Sequence, residues 1–330
     1  MSPNIGSPGP MAEDLHEHVR QLAVGPRHRA IRGSRERARD YVEAYLRDSG
    51  WSITHVDFRS GASMLRTSDY GRRWWPAGAG RPIEGRNVIA HRGDLAGGVW
   101  LMAHLDSVHS SPGADDNASA VSIALEVARR VNRDDLAIVL TDNEESAMMG
   151  SRFLVRRGPR PRLVVNLESL GYFRDAPGTQ RMIPDVSLGH ARVAKEIRRD
   201  GGRGNFVMAV HRPNSSVAST QLQSNLQAAG MLTHSIEDRR WNGAGQRISA
   251  RLNPIGLSFD RSDHAPFWRA QIPAVVLSDT AVARNPNYHR ATDTPETLDY
   301  ERMALITNGL VSSLRRDLLP GPPSSEEGSG

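Results

Sequence analysis

A histidine and an aspartate follow an apolar run near residue 100. Val99–Ala103 predicts a buried strand, and His104 and Asp106 come directly after it. Open α/β sheets place their active sites where strands end, so this position favours a functional role. A histidine there suits a metal ligand whose second ring nitrogen is held by a nearby carboxylate. Taken alone, the pair is explained as well by a histidine that only packs near a helix cap.

A polar loop with a pair of aspartates follows, at residues 113–119. On a tight turn, the two carboxylate oxygens of Asp116 could bridge two cations. Asp116 or Asn117 could equally be the N-cap of the apolar helix that comes next. The loop by itself leaves both interpretations open.

Two adjacent glutamates, Glu144 and Glu145, lie just after the predicted strand Leu136–Thr141. Buried neighbouring carboxylates repel each other, so a fold that keeps them needs a positive charge or a metal nearby. One carboxylate would then bind the cation while the other moves a proton. An acidic loop that faces water is the alternative.

Three further residues complete the set. Glu168 follows the predicted strand Leu163–Leu167, His289 follows the apolar run Ala274–Leu277, and His264 precedes that run. We interpret His264 as a structural residue or as a support for a ligand. Two histidines and three carboxylates, with one carboxylate to spare, then meet at one edge of the sheet. Oxygen and nitrogen ligands without thiolates suit a hydrolytic pair of Zn²⁺ ions.

The elements that must position these residues alternate between strand and helix. Apolar runs predict strands at 87–90, 99–103, 136–141, 163–167, 206–210 and 274–277, and helices are predicted at 34–49, 118–131, 147–156, 191–199, 216–229 and 300–316. Such alternation predicts an α/β fold with a central, mostly parallel but mixed sheet that helices cover on both faces. We expect a single domain over residues 11–319.

Other stretches carry weaker signals. Residues 1–10 and 320–330 are rich in Pro, Gly and Ser, which predicts disorder at both ends. Residues 230–261 have little periodicity and predict a long excursion over the sheet's edge. His16 and His18 are spaced i, i+2, which directs the rings apart on a helix, and we interpret them as part of a solvated N-terminal face.

Composition excludes several classes of function. The chain has no cysteine, and its net charge of +5 comes from dispersed arginines rather than from a basic cluster, so no nucleic-acid partner is expected. It has no apolar run long enough to span a membrane, and its first residues lack the cationic start and apolar stretch of a signal peptide, so none is expected. A cytoplasmic location is therefore the default expectation, with secretion and oligomeric state left open. HExxH, P-loop, GxSxG and GxGxxG motifs are absent.

Five segments between residues 87 and 299 resemble the co-catalytic zinc exopeptidases, a family that includes bacterial zinc aminopeptidases, glutamate carboxypeptidase and glutaminyl cyclases. They are AHLDSVHSSPGADDNAS, NEESAMMGSRF, NLESLG, RSDHAPFWRAQIPAVVL and NYHRATDTPETLD. The resemblance implies a zinc-exopeptidase-like fold and two Zn²⁺ ions as cofactors. It implies that His104 and Glu168 bind one zinc, that Glu145 and His289 bind the other, and that Asp116 bridges both.

The same resemblance implies the catalytic roles. Glu144 would be the general acid and base, Asp106 the partner that orients His104, and Tyr288 a donor to the developing oxyanion. The peptide bond between Asp116 and Asn117 would be cis. The activity implied is hydrolysis of a terminal peptide bond in a peptide or small amide, of the aminopeptidase type.

Two departures from the family pattern keep other reactions open. Aminopeptidases of this family usually have Asp where Glu168 stands, and the residues around the glutamate pair, Asn143 and Ser146–Met149, are altered. Glutaminyl cyclisation, carboxypeptidase action and deacylation of small amides are alternatives on the same metal site. A carboxypeptidase would need an arginine for the terminal carboxylate, for which Arg251 and Arg284 are candidates. A non-catalytic binding module that kept the fold is a lesser alternative.

Overall fold

Short apolar runs of the chain pair into one sheet. The structure, a computed structural model, describes residues 9–31, 33–60, 82–240 and 257–318. Within these residues the strands are β1 Ser52–Arg59, β2 Glu84–His91, β3 Val99–His104, β4 Leu136–Thr141, β5 Leu163–Glu168, β6 Phe206–His211, β7 Leu232–Glu237 and β8 Ala274–Ser278. All six strands predicted from apolar runs are present.

The sheet is mixed, with a parallel centre. Its strand order is β1-β2-β4-β3-β5-β8-β6-β7. The four central strands, β4, β3, β5 and β8, run parallel, whereas β2 and β6 pair with them antiparallel. The predicted fold class, a single α/β domain with a mostly parallel mixed sheet, is confirmed. Because the central strands are parallel, their carboxyl ends meet at one edge.

Helices cover both faces of this sheet. They are α1 Pro10–Leu22, α2 Ser34–Asp48, α3 Ala120–Arg130, α4 Met149–Arg157, α5 Pro184–Gly189, α6 Ala191–Arg199, α7 Ser216–Ala228, α8 His264–Arg269, α9 Ala281–Arg284 and α10 Tyr300–Leu314. Alternate strand residues enter two separate cores, so Leu101 packs on the side of α1, α3 and α10 while Trp100 packs on the side of α6 and α8. None of the helices among the described residues has the length and apolar character that crossing a membrane requires.

The two edge strands were not predicted from the sequence. β1 has one buried residue, Phe58, and β7 has two, so neither shows the continuous apolar run that identifies a central strand. The range 230–261, predicted as an excursion, therefore begins with a strand of the sheet. Its residues 241–256, like the terminal segments 1–8 and 319–330, lie outside the described part of the chain.

The N-terminal histidine pair corrects one prediction. His16 is exposed, as expected, but His18 is buried at the junction of α1, α2 and α3. Its imidazole contacts the hydroxyl of Tyr41 at 2.7 Å and Glu126 Oε1 at 3.2 Å. The i, i+2 spacing does direct the two rings apart, but it directs one of them into the protein. A solvated face was the wrong interpretation because the partners of His18 come from other helices.

Glu126 is the centre of this buried junction. Its Oε1 accepts a hydrogen bond of 2.6 Å from the hydroxyl of Tyr45, and its Oε2 accepts from Arg129 and Arg130. Burial tends to raise the pKa of Glu126, but these partners and His18 outweigh it and lower the pKa to about 2. The ionised carboxylate therefore stabilises the packing of α1 and α2 on α3.

Replacing Glu126 by Gln is expected to lower the free energy of unfolding at pH 7 by about 2–3 kcal/mol, since one pKa unit corresponds to ~1.4 kcal/mol. A depressed pKa stabilises the folded state above the unfolded-state value and loses that effect as pH falls toward the folded-state value. The deficit of the variant should therefore shrink between about pH 4.5 and pH 2. Urea unfolding at several pH values measures this, with the exposed Glu13→Gln as control. An equal deficit at pH 7 and pH 3 would contradict it.

Candidate metal centre

The predicted ligands come together at the carboxyl edge of the parallel strands. His104 is the last residue of β3 and Glu168 the last of β5, and Glu144 and Glu145 follow β4. β3 lies between β4 and β5, so the three positions are adjacent across the sheet. Asp116 lies on the turn that precedes α3, and His289 lies on the loop between α9 and α10.

The His104 ring has a fixed orientation. Its Nδ1 lies 3.0 Å from the main-chain oxygen of Asp106, whereas the nearest carboxylate oxygen of that residue is 3.6 Å away. A carbonyl oxygen only accepts hydrogen bonds, so Nδ1 carries the hydrogen and Nε2 faces the centre. The prediction that a carboxylate orients this ring is thus corrected: the closer partner is a main-chain oxygen.

Two clusters of ligand atoms share one aspartate. His104, Asp116 and Glu168 form the first, and Asp116, Glu145 and His289 form the second, with the ligand atoms of each cluster within 4.8 Å of one another. Asp116 Oδ1 lies 3.1 Å from His104 Nε2, and Asp116 Oδ2 lies 3.0 Å from His289 Nε2. The two oxygens of Asp116 therefore face one cluster each.

The glutamate of each cluster also lies close to the histidine of that cluster. Glu168 Oε1 lies 3.7 Å from His104 Nε2, and Glu145 Oε1 lies 3.1 Å from His289 Nε2. The other oxygen of Glu168 accepts a hydrogen bond of 2.6 Å from the hydroxyl of Ser262, which holds this carboxylate in place. Ser262 precedes His264 and had no role assigned from the sequence.

Buried atoms at the centre lack ordinary partners, which tests whether a metal fits. His104 Nε2 and Asp116 Oδ1 are both buried and 3.1 Å apart, yet neither makes a hydrogen bond within the described residues. When this ring is neutral, with its hydrogen on Nδ1, its Nε2 presents an acceptor nitrogen to an acceptor oxygen. Acceptors that converge on one point need a positive charge between them, and imidazole and carboxylate are ligands that zinc prefers. The residues of the first cluster therefore fit a divalent cation, and the second cluster offers the same kinds of ligand atom.

The pKa shifts of His104 and Glu145 also indicate a site for a positive charge. Burial lowers the pKa of His104, but Glu168, Asp106 and Asp116 outweigh it and raise the pKa well above its usual value. Burial and the charge of Asp116 raise the pKa of Glu145. The cluster thus concentrates negative charge in a buried place and requires compensation by protons or by metal ions.

The turn that carries Glu144 and Glu145 is held by Asp106. The two carboxylate oxygens of Asp106 accept from the main-chain N–H groups of Glu144, at 3.0 Å, and of Glu145, at 3.2 Å. Ala147 and Met148 then adopt left-handed backbone angles, with φ of 65° and 58°, which non-glycine residues rarely do. Asp106 therefore positions the glutamate pair as well as the histidine ring.

Asp293 supports the bridging aspartate and had no role assigned from the sequence. Its Oδ1 accepts from the main-chain N–H of Asp115 at 2.9 Å, and its Oδ2 accepts from that of Asp116 at 3.3 Å. The peptide bond between Asp116 and Asn117 is cis. Asp293 lies four residues after His289 in one of the motif segments, and this proximity to a ligand was the available signal.

A largely apolar pocket opens beside the first cluster. Its walls are Ile183, Val186, Met208, Val210, Ile236, Phe259, Val276, Ala281 and Val282, and Glu168, Ser262, Arg261 and Tyr288 also line it. The Tyr288 ring stacks on that of His289 with centroids 3.9 Å apart. Burial, together with Asp116 and Glu145, raises the pKa of Tyr288, so its hydroxyl keeps its hydrogen at neutral pH.

Of the two arginines considered for a carboxylate anchor, Arg284 is not among the residues that line this pocket. Arg284 is buried and donates to Gln180 Oε1 and to the main-chain oxygens of Gly204 and Phe206. Arg251 lies outside the described residues. His264 lines the pocket and contacts the main-chain oxygen of Phe259 at 2.6 Å, and burial lowers its pKa to about 4. His264 is thus a neutral residue of the pocket wall.

Known proteins resemble this chain in sequence or in fold. Protein YfbL of Escherichia coli (strain K12) is 29% identical, over 92% of this chain and 87% of that protein. A zinc aminopeptidase from Bacillus subtilis superposes with a TM-score of 0.60 at 16% identity, covering 91% of this chain and 95% of that one. A glutaminyl cyclase from Porphyromonas gingivalis superposes with a TM-score of 0.59 at 18% identity, covering 92% of this chain and 97% of that one.

The two structural similarities, at such low identity, concern the fold. Sequence similarity to a family is more specific, and the model of peptidase family M28 matches residues 87–313, more than half of the chain. The matched range includes all five residues of the two ligand clusters, together with Asp106, Glu144 and Tyr288. This chain therefore belongs to peptidase family M28.

Proposed function

We propose that this chain is a zinc-dependent aminopeptidase, in which two zinc ions and Glu144 cleave the terminal peptide bond of a substrate with an apolar N-terminal residue. The observation that carries this proposal is the pair of histidine and carboxylate clusters that share Asp116 and lie beside an apolar pocket. His104, Asp116 and Glu168 would hold one ion, and Asp116, Glu145 and His289 the other. Two bound zinc ions would supply Lewis acidity and lower the pKa of a water from 15.7 toward about 7.

Glu144 would move the proton in this reaction. It is buried, and Asp106 holds its main-chain N–H in place. Burial raises its pKa well above the usual value, and the charges of Glu168, Glu145 and Asp263 add to this, whereas His104 acts in the opposite direction. A raised pKa suits a group that takes a proton from water and returns it to the leaving amine.

Tyr288 would stabilise the oxyanion that forms on the scissile carbonyl. It lines the substrate pocket, and its ring is fixed by stacking on His289. Its raised pKa keeps the hydroxyl as a hydrogen-bond donor. A single donor of this kind contributes on the order of 3–4 kcal/mol to the stability of a transition state.

The pocket supports the choice of substrate. Its apolar walls would accept an aliphatic or aromatic side chain, and Glu168 is the acidic group that lines it and could receive a free amino group. The exposed guanidinium of Arg261 also lines the pocket and disfavours a lysine or arginine side chain there. An amino-terminal residue such as leucine, phenylalanine or methionine therefore matches the pocket best.

A panel of p-nitroanilides tests the proposal. We expect hydrolysis of the leucine derivative, with kcat/KM about 10- to 100-fold above that of the alanine derivative, because the larger side chain buries more apolar surface. N-acetyl-leucine p-nitroanilide should not be cleaved, and lysine p-nitroanilide should be a poor substrate. Hydrolysis of the acetylated compound alone would contradict the aminopeptidase assignment and support a deacylase or a carboxypeptidase-like reaction.

Glutaminyl cyclisation is the second candidate, and one observation favours it. Glu168 occupies the position where aminopeptidases of this family usually have Asp, and Glu at this position occurs in the cyclases and in some carboxypeptidases. A peptide with N-terminal glutamine, followed for loss of ammonia and for release of free glutamine, separates the two reactions. Loss of ammonia without peptide cleavage would support the cyclase.

A further inference from the structure

Arg27 is a buried cation that the metal chemistry does not use. It lies on the connection between α1 and α2, outside the family-matched range 87–313, and its relative exposure is 1%. Burial lowers its pKa to about 10, so it is charged at neutral pH. A buried charge is normally paired with an opposite charge, so the question is which groups stabilise the Arg27 guanidinium.

In the described part of the chain, the hydrogen-bond acceptors of this guanidinium are main-chain oxygens. Nε donates to Leu105 O at 2.7 Å, Nη1 donates to Pro112 O at 2.6 Å, and Nη2 donates to Gly113 O at 2.8 Å. Nη1 also donates to Leu22 O at 2.9 Å, at the end of α1. The three nitrogens of the guanidinium thus connect the end of α1 to both ends of the loop 105–113.

The main chain of Arg27 binds the same loop. Its N–H donates to Ser107 Oγ at 3.0 Å, and its oxygen accepts from the N–H of Ser107 at 3.3 Å. The loop is closely packed around the side chain as well. Gly113 has a φ of +66°, and a Cβ at this residue would lie 3.0 Å from Arg27 Nη2 and 2.4 Å from Asp116 O.

The loop that Arg27 holds joins the ligands of the first cluster. His104 precedes it, and Asp116 follows three residues after Gly113. The loop also contains Asp106, whose main-chain oxygen orients the His104 ring and whose carboxylate holds the N–H groups of Glu144 and Glu145. A change in the span from Leu105 to Gly113 would therefore change the separation of His104 and Asp116 and the position of the glutamate turn.

We propose that Arg27 is a positioning residue of the metal centre, whose guanidinium fixes the loop between His104 and Asp116 and so sets the distance between these ligands. The inference rests on the proposed function, since it concerns the metal site described there. A lysine could keep the charge but has one nitrogen, and it cannot donate from three directions to Leu105, Pro112 and Gly113 at once.

Cobalt substitution gives a readout that does not depend on activity. We would titrate Co²⁺ into the wild-type protein and into Arg27→Lys, Arg27→Met and Leu46→Ala, and record the visible d–d absorption and the dissociation constant. Leu46 is a buried core residue of α2 in the same N-terminal segment, so its replacement by Ala destabilises the fold without removing a hydrogen bond to the loop. Thermal unfolding of each metal-free variant measures the loss of stability directly.

Both Arg27 variants are expected to weaken metal binding by about 10- to 100-fold, the range found when a group that orients a ligand is lost, and to change the cobalt spectrum. Leu46→Ala should lower the melting temperature and leave spectrum and affinity as in the wild type. If Arg27→Lys binds cobalt like the wild type, the charge suffices and the positioning role is wrong. A spectral change in Leu46→Ala equal to that in Arg27→Met would attribute the effect to general destabilisation.

Ser107→Ala provides a milder variant if the Arg27 variants do not fold. It removes the acceptor for Arg27 N–H and a hydrogen bond of 3.0 Å to Ser111 O within the same loop. We expect a smaller shift of the cobalt spectrum in the same direction, and an unchanged spectrum would contradict the inference. A wild-type protein that binds neither cobalt nor zinc would contradict the proposed function itself. Failure of the proposed function can therefore be distinguished from failure of the inference about Arg27.

Discussion

Replacing Glu144 by Gln is expected to lower kcat by at least about 100-fold while the zinc content stays at the wild-type level. The glutamine keeps the shape of the side chain but cannot take a proton at neutral pH. Glu144 belongs to neither ligand cluster, and its N–H bond to Asp106 does not involve the side chain, so the metal site should persist. Steady-state kinetics on leucine p-nitroanilide and metal analysis of the same sample measure both quantities.

Two further variants control this result. Glu145→Gln changes the neighbouring carboxylate, which belongs to the second cluster, and it should lose metal as well as activity. Glu84→Gln changes an exposed carboxylate at the start of β2, next to the same turn, and should be fully active. Full activity of Glu144→Gln would remove this residue from the mechanism, and loss of zinc from it would make it a ligand instead.

Asp116→Asn is expected to weaken the binding of both metal ions by more than about 100-fold. Loss of a residue that only hydrogen-bonds a ligand weakens metal binding by about 10- to 100-fold, and we expect a larger effect because Asp116 would itself be a ligand. Asp116 contributes one oxygen to each cluster, and the neutral amide removes the negative charge that both share. Its main-chain N–H is held by Asp293, so the change should be confined to the side chain. Zinc titration with a chromophoric competitor measures the affinity.

Thermal unfolding checks the same prediction independently. Zinc that binds only the folded state should stabilise the wild-type protein by about 2.7 kcal/mol at 100 times its dissociation constant, which raises the melting temperature by several degrees. The Asp116→Asn variant should show no such rise at that concentration, whereas the exposed Asp94→Asn should behave as the wild type. An equal rise in all three proteins would exclude Asp116 as a ligand of either ion.

The segment before the family-matched range contributes to the site more than its position in the chain indicates. Arg27 holds one ligand-bearing loop, and Arg35 of α2 donates to both oxygens of Asp142, at the end of β4, at 2.8 and 3.0 Å. Asp142 lies two residues before Glu144. Two loops that follow the neighbouring strands β3 and β4, at the edge with the candidate metal centre, are therefore held by arginines from the same N-terminal segment.

The sequence by itself determined the fold class and the position of the candidate ligands. Central strands are buried on both faces and read as continuous apolar runs, so β3, β4 and β5 could be recognised without any knowledge of their neighbours. Parallel strands end at one edge, which predicted that His104, Glu145 and Glu168 would meet. The edge strands β1 and β7 could not be predicted in this way, because few of their residues are buried and they are strands only through main-chain pairing with β2 and β6.

Only the tertiary structure decided how the site is held together. Asp106 acts through the N–H groups of Glu144 and Glu145, Asp293 through those of Asp115 and Asp116, and Arg27 through carbonyl oxygens near residues 105–113. Every residue except proline has both a main-chain N–H and a carbonyl group. Contacts to these groups therefore do not require a particular side chain in the partner residue. They depend on which distant segments the fold brings within about 3 Å of each other, and residue types alone do not encode this.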